Sequence, residues 1–515
     1  MADRSIIFKP GYTQTGYGPH LGKTIYAFDK KRDTFYSDIK IIKEGIAISD
    51  TGISEEFGIV VRWNVEGYGF LKMFADNGGE FYRLPKSGSL ILNLNHELAK
   101  SRIKRNEQRL EMGYRLDWKP SSNLEKNHAL AKTYHQDAGK HSKDSEYSSI
   151  LNQKSLLYGL IASELIELEI IRFKIEQSGH RPDFMFGCDA RGYFQMDQNL
   201  FFERFMECFN YSTITHYLIG DTVDFEAEEN NKQFSERDHL LDELLKRGVT
   251  VEGRPLFWTH TWVTPEWLKN KAYADVLRYV AKHVKTVLDH YGDRILIWEI
   301  VNELHDWANE LELNHKQTIE ITKLACEVAR SVNPKVRLLI NNCCPFGEYV
   351  QTGKWTERPA KYPQRTPMQY LREVETAGVD YDIIGAQMYF TKYPLADAIQ
   401  ILERYEEFGK KIQIAEIGSP SHGISQEFIE PDIDDPTQLP YEWHRHWDED
   451  LQADWLEAIF SYGYSRPMVE AANWYDFVDP FSFLKHGGIL RSPKGERKAG
   501  VRRLIDLKKH WSKLK

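Results

Sequence analysis

Two glutamates, each at the end of an apolar run, set the chemistry open to this chain. Glu303 closes Ile295-Leu-Ile-Trp-Glu-Ile-Val-Asn302-Glu303, and Glu416 closes Ile412-Gln-Ile-Ala-Glu416. Glycosidic-bond cleavage uses such a pair: one carboxyl protonates the leaving oxygen, and the other attacks the anomeric carbon or activates water. A single glutamate is most often an ion-paired surface group. Two that close separate apolar runs carry a reading that neither carries alone.

The elements that hold them follow from pattern. Short apolar runs bounded by polar residues read as buried strands of a parallel sheet. Eight occur in order after residue 181: Asp183–Cys188, Ser212–Tyr217, Val249–Trp258, Ile295–Ile300, Val336–Asn341, Ile383–Met388, Ile412–Glu416 and Val469–Trp474. Amphipathic stretches fill the gaps, so the α/β pattern predicts a (β/α)8 TIM barrel over 181–515. A doubly wound sheet would need a phosphate-binding glycine loop after its first strand, and none is present. Glu303 and Glu416 then end strands four and seven, at the barrel mouth where such folds keep their chemistry. An apolar setting beside Glu416 would raise the pKa of Glu303, as a proton donor requires. Trp258 and Trp474, also at strand ends, are candidate walls around a sugar ring; as plain core aromatics they would look the same.

Residues 1–95 read as strands and turns, which predicts an antiparallel N-terminal β-sandwich that binds sugar or braces the barrel. Residues 96–180 read as a helical, charged connector, with polar Ser121–Ser149 as a surface connection and an amphipathic helix over Leu156–Gln177. Of 515 residues, 41% are hydrophobic, enough for a large core. The net charge of −9 argues against a nucleic-acid partner. The five cysteines have neither zinc-site spacing nor an even count, so no metal, cofactor or disulfide framework is expected. Adjacent Cys343 and Cys344 read as small buried residues. No run is long enough for a membrane span. Met1-Ala-Asp-Arg-Ser5 lacks the apolar stretch of a signal peptide, which predicts a cytoplasmic protein as written, or a secreted one if a leader was trimmed. The oligomeric state is not readable.

At this point the chain resembles glycoside hydrolase family 10, best known for β-1,4-xylanases. Trp298-Glu-Ile-Val-Asn302-Glu303 is similar to that family's Trp-Asp-Val-Val-Asn-Glu acid/base segment, and Ile412-Gln-Ile-Ala-Glu416-Ile resembles its Ile-Thr-Glu-Leu nucleophile segment. Gly253-Arg254-Pro-Leu-Phe-Trp258 and Thr264-Pro265-Glu-Trp267 resemble its strand-three stretch, and Ile384-Gly-Ala-Gln387 its Ile-Gly-Ser-Gln on strand six. The resemblance implies a retaining mechanism with Glu303 as acid/base and Glu416 as nucleophile. It implies Asn302 at the sugar 2-hydroxyl, and Arg254, Trp258 and Gln387 about the substrate. Tyr389 stands where the family has a histidine that contacts the nucleophile. His260 either replaces the family's histidine after the strand-three tryptophan or is a surface residue.

The resemblance breaks at strand two. The family's Thr-Pro-Glu-Asn-x-Met-Lys-Trp becomes Thr213-Ile-Thr215-His216-Tyr-Leu-Ile219-Gly220, with His216 the remaining candidate for substrate contact. After strand five, Asn-Asp-Tyr-Asn becomes Asn341-Asn342-Cys343-Cys344. Sites built to bond particular hydroxyls discriminate strongly when those partners change, so xylan itself is an unexpected substrate. The insertion Ser419–Glu449 is a candidate for shaping one end of the cleft. Its Glu430, Asp432, Asp434 and Asp435 form a calcium site or a solvated acidic loop, and Arg445 or His446 are candidates to meet an acidic sugar. The expected partner is a polysaccharide or oligosaccharide. Two other readings stay open: an exo-glycosidase or transglycosylase on a non-xylan glycan, and a barrel that binds carbohydrate without turnover.

Overall fold

In a computed structural model, described for residues 4–13, 21, 25–52, 54–356, 358–389, 392–422 and 441–515, the chain begins with two sheets. Their strands are β1 (Arg4–Lys9), β2 (Tyr26–Phe28), β3 (Thr34–Phe35) and β4 (Asp38–Ile42), then β5 (Gly45–Asp50), β6 (Gly58–Val65), β7 (Gly69–Ala75) and β8 (Gly88–Asn93). Apolar alternation places them: Ile6 and Phe8 on β1 and Ile46 and Ile48 on β5 are fully buried. The first sheet runs β4-β5-β1-β8. Its β1 and β8 pair in parallel, with Arg4 opposite Gly88, which corrects the wholly antiparallel expectation. A chain that returns to its first strand through intervening strands need not form a hairpin.

Three helices follow: α1 (Leu94–Tyr114), α2 (Ser122–Lys140) and α3 (Ser145–Ser178). The stretch Ser121–Ser149, expected as a surface connection, is instead mostly helix. Ser121 accepts from the Leu124 amide, Asp144 caps α3, and Leu124, Ala131 and Ala138 form a buried stripe at seven-residue spacing. Buried ion pairs tie this layer onward. Arg105 meets Asp76 at 2.8 Å and Asp397 at 3.2 Å, while Arg109 meets Glu167 at 2.6 Å and Glu403 at 2.7 Å.

The remaining strands are β9 (Met185–Asp189), β10 (Tyr211–Thr215), β11 (Thr250–Arg254), β12 (Ile297–Asn302) and β13 (Arg337–Asn342). A two-stranded hairpin, β14 (Lys354–Trp355) and β15 (Arg358–Pro359), precedes β16 (Ile383–Met388), β17 (Lys411–Ile417), β18 (Glu442–Trp443) and β19 (Val469–Trp474). Strands β9–β13, β16, β17 and β19 close a parallel eight-stranded barrel, with a helix after each, as the apolar runs predict. Strand β18 leaves the barrel and pairs with β7, extending the second sheet to β18-β7-β6-β2-β3. Among the described residues, no helix is long and apolar enough to cross a membrane.

Candidate functional site

The site is built at the mouth of the barrel. Glu303 follows β12 directly, and its amide donates to the Asn341 carbonyl at 3.0 Å. Its φ of +54° is a left-handed conformation that a non-glycine residue adopts at some cost, and such strain persists where the surrounding structure enforces it. The side chain is buried. Oε2 accepts from Trp258 Nε1 at 3.1 Å and Oε1 from Gln387 Nε2 at 2.7 Å. Burial first, and then the negative charge of Glu416, push its pKa up to about 8, against a smaller downward pull from Gln387, Arg254 and Trp258.

Glu416, on β17, is held differently. Oε2 accepts from the Tyr389 hydroxyl at 2.7 Å, and Oε1 from Asn341 Nδ2 at 2.9 Å and from the Arg254 guanidinium. These donors fix the orientation of the carboxyl. Arg254 also lies 3.0 Å from Glu299 through Nε, an ion pair without hydrogen-bond alignment. The neighbouring Gly253 has to be glycine: a Cβ there would stand 2.1 Å from the Trp298 ring. Below the mouth the barrel interior carries further buried carboxylates, and burial pushes Glu252 up to about 7.

Both glutamates line one cavity of about 1260 Å³. Asn302, Trp258, His260, Gln387 and Tyr389 line it too. Asn302 Nδ2 is buried without a hydrogen-bond partner among the described residues, and so is available to a ligand oxygen. His260 is buried rather than on the surface. It packs 5.1 Å from Trp258 and accepts from the Trp262 amide at 3.1 Å, and burial lowers its pKa to about 4. Arg254 acts from behind the cavity, through Glu416.

Two expected site residues lie elsewhere. Trp474 is fully buried, with Nε1 donating to the Gly487 carbonyl at 3.1 Å, and does not line the cavity. His216 is buried between the Ile214 carbonyl and the Tyr291 hydroxyl, each at 3.0 Å. In both places the next residue takes the site. Tyr217 and Tyr475 line the cavity and share a hydroxyl hydrogen bond of 2.9 Å. Side chains alternate along a strand, so an offset of one residue moves a prediction to the opposite face.

Other residues were not singled out. Asn341, read only as part of a departure from the family pattern, contacts Glu416. Arg191 lines the cavity beneath Tyr475, 4.5 Å from its ring, and is paired with Asp189 at 2.8 Å and Asp476 at 2.7 Å. Cys344 is partly exposed and lines the cavity beside buried Cys343, so the two are not merely core. Arg445 and His446 do not line it; they pair with Asp448 and Glu442. Glu430, Asp432, Asp434 and Asp435 lie outside the described residues. Among the described residues no group of three or more His, Cys, Asp or Glu is placed to hold a metal. A buried, proton-bearing carboxyl and a second carboxylate held by cationic and neutral donors, in one cavity, are equipped for acid-assisted displacement at an acetal.

Residues 211–454 match Glycosyl hydrolase family 10. The chain is 24% identical over 295 residues to endo-1,4-beta-xylanase B of Thermotoga neapolitana, covering 55% of this chain and 75% of that one. It is 30% identical over 129 residues to endo-1,4-beta-xylanase 3 of Hypocrea jecorina, covering 24% and 37%. Among solved structures, xylanase 10B of Thermotoga petrophila in complex with xylobiose is 18% identical, with a TM-score of 0.47 over 66% of this chain and 96% of that one.

Proposed function

We propose that this glycoside hydrolase, whose residues 211–454 match glycosyl hydrolase family 10, cleaves β-glycosides with retention, using Glu416 as nucleophile and Glu303 as acid/base. The observation that carries the reading is that both carboxyls line one cavity and that the negative charge of Glu416 helps keep Glu303 protonated. In the first step Glu416 attacks the anomeric carbon while Glu303 gives its proton to the departing oxygen. The resulting ester carries no charge, so the influence that raised the Glu303 pKa falls away. Glu303, now ionised, takes a proton from water, which displaces Glu416 and restores the resting pair.

Arg254, Asn341 and Tyr389 hold Glu416 in one orientation and stabilise it as the leaving carboxylate of the second step, at some cost to its nucleophilicity in the first. Asn302, whose Nδ2 has no partner among the described residues, is suited to the sugar 2-hydroxyl. The substrate is a glycan or glycoside other than unsubstituted xylan. Thr213 and Thr215, on the strand that departs from the family pattern, bond to Asp189 at 3.1 Å and to Asp221, so their hydroxyls are engaged within the protein. A panel of plant, algal and bacterial glycans read by reducing-end release finds the substrate, and proton NMR of the first-formed anomer then tests the mechanism. Retention gives the β-anomer first; an α-anomer first overturns the double displacement.

A further inference from the structure

We propose that the two N-terminal sheets, at β2 and β4, form a wall of the leaving-group site and select β-glycosides whose aglycone is apolar. The inference rests on the roles assigned to Glu303 and Glu416, because they set the direction of departure. The leaving oxygen moves toward the proton donor. Glu416 is surrounded by Arg254 and Tyr389, with Tyr475 and Arg191 beyond them. The Glu303 carboxyl is held instead by Gln387 and Trp258, and its charge, more than that of Glu416, is felt at Cys343 and Cys344, which line the same cavity. In this proposal the aglycone lies over Cys343–Phe346, on the Glu303 side of the cavity.

That end of the cavity is closed by residues far away in sequence. Ile25, Tyr26, Ile39 and Ile41 line it together with Pro345 and Phe346. Ile39 and Ile41 share one face of β4, the edge of its sheet, and Ile41 is 50% exposed. Isoleucine offers nothing to a sugar hydroxyl, and a hydroxyl pressed against it loses water without a new partner. An aryl or alkyl group covering the same surface gains about 25 cal/mol for each Å² buried. The nearby Gln351 amide is already engaged at both ends by Ser37. Glu348 Oε2, buried without a hydrogen-bond partner among the described residues, leaves one acceptor for a donor on the aglycone.

The wall is fixed rather than tethered. The Tyr26 and Tyr393 hydroxyls are 2.8 Å apart, and the Tyr393 ring stacks on Phe346 at 13°. Thr34 donates to the Phe346 carbonyl at 2.7 Å, and Asp33 pairs with Arg372 at 2.6 Å and Arg404 at 2.7 Å. A surface held this firmly needs little ordering when it binds.

The test compares 4-methylumbelliferyl β-glycosides with β-glycosyl fluorides of the same sugars, xylosyl, glucosyl, galactosyl and glucuronosyl, since fluoride does not reach the wall. In I41D, and in the milder pair I39T/I41T should the charge disturb folding, the ratio of kcat/KM for aryl glycoside to fluoride is expected to fall about tenfold, as for roughly 50 Å² of apolar contact. A ratio unchanged in both variants overturns the wall. Failure of the parent protein to hydrolyse any of the fluorides overturns the glycosidase reading itself, a separate outcome.

Discussion

The Tyr389 hydroxyl donates to Glu416 Oε2 at 2.7 Å from just past the end of the strand that carries Gln387, two residues earlier, with its amide on Glu303. Gln387 on β16 and Tyr389, the residue just past its end, thus reach both carboxyls, and fixing that one segment fixes the relation between them. Y389F removes one hydrogen bond to a charged acceptor, worth about 1.5–3 kcal/mol. We expect kcat on an activated aryl glycoside to fall about ten- to hundredfold, with the melting temperature lowered by no more than a few degrees. An unaltered kcat would mean that the hydroxyl does not serve Glu416 in turnover.

The pH profile follows from Glu303. Its proton must be present in the first step, so kcat/KM should decline above about pH 8. Gln387 favours the ionised form, and removing it makes the proton harder to lose. The basic limb of Q387L is therefore expected to move to higher pH. A shift to lower pH would contradict the assigned hydrogen bond.

The same group links stability to pH. Its folded pKa lies above the unfolded value of 4.5, so the folded state holds the proton more tightly. Stability is full below pH 4.5, declines as pH rises from there, and has lost the whole contribution above about pH 8. E303Q cannot ionise, so it should melt higher than the parent at pH 9 and show no such advantage at pH 4, as read by thermal denaturation.

Leaving groups separate the two glutamates. E303A should lower kcat/KM about 10²–10⁴-fold on substrates with poor leaving groups, and far less on dinitrophenyl glycosides, which depart without a proton. Azide should restore turnover of the activated substrate by replacing water in the second step. Equal losses on both classes would mean that Glu303 has another role.

Arg254 lies between Glu299 and Glu416, all three buried. R254M leaves two carboxylates without their cation and should cost about 3–5 kcal/mol of stability. Adding E299Q should recover part of that loss but not the activity. Denaturant melts of both variants test the coupling.

The barrel was legible because each buried strand is a short apolar run, and the runs that end in Glu303 and Glu416 mark the mouth. Facing was harder to read. His216 and Trp474 sit one residue from Tyr217 and Tyr475, and pattern alone does not say where a strand's pleat stops. Helix α2 escaped because its buried apolar residues are only Leu124, Ala131 and Ala138 in a polar stretch, though Ser121 marks its start. The roles of Asn341 and Arg254 depend on strands β11, β13 and β17 meeting in space, and the wall of Ile39 and Ile41 depends on contacts across more than three hundred residues. Local sequence carries no trace of either.

The most direct measurement is to trap the intermediate with dinitrophenyl 2-deoxy-2-fluoro-β-glycosides of several sugars and locate the label by peptide mapping. One sugar attached to Glu416, with stoichiometric loss of activity, is the predicted result. Attachment at any other residue, from a sugar the protein demonstrably hydrolyses, would contradict the account.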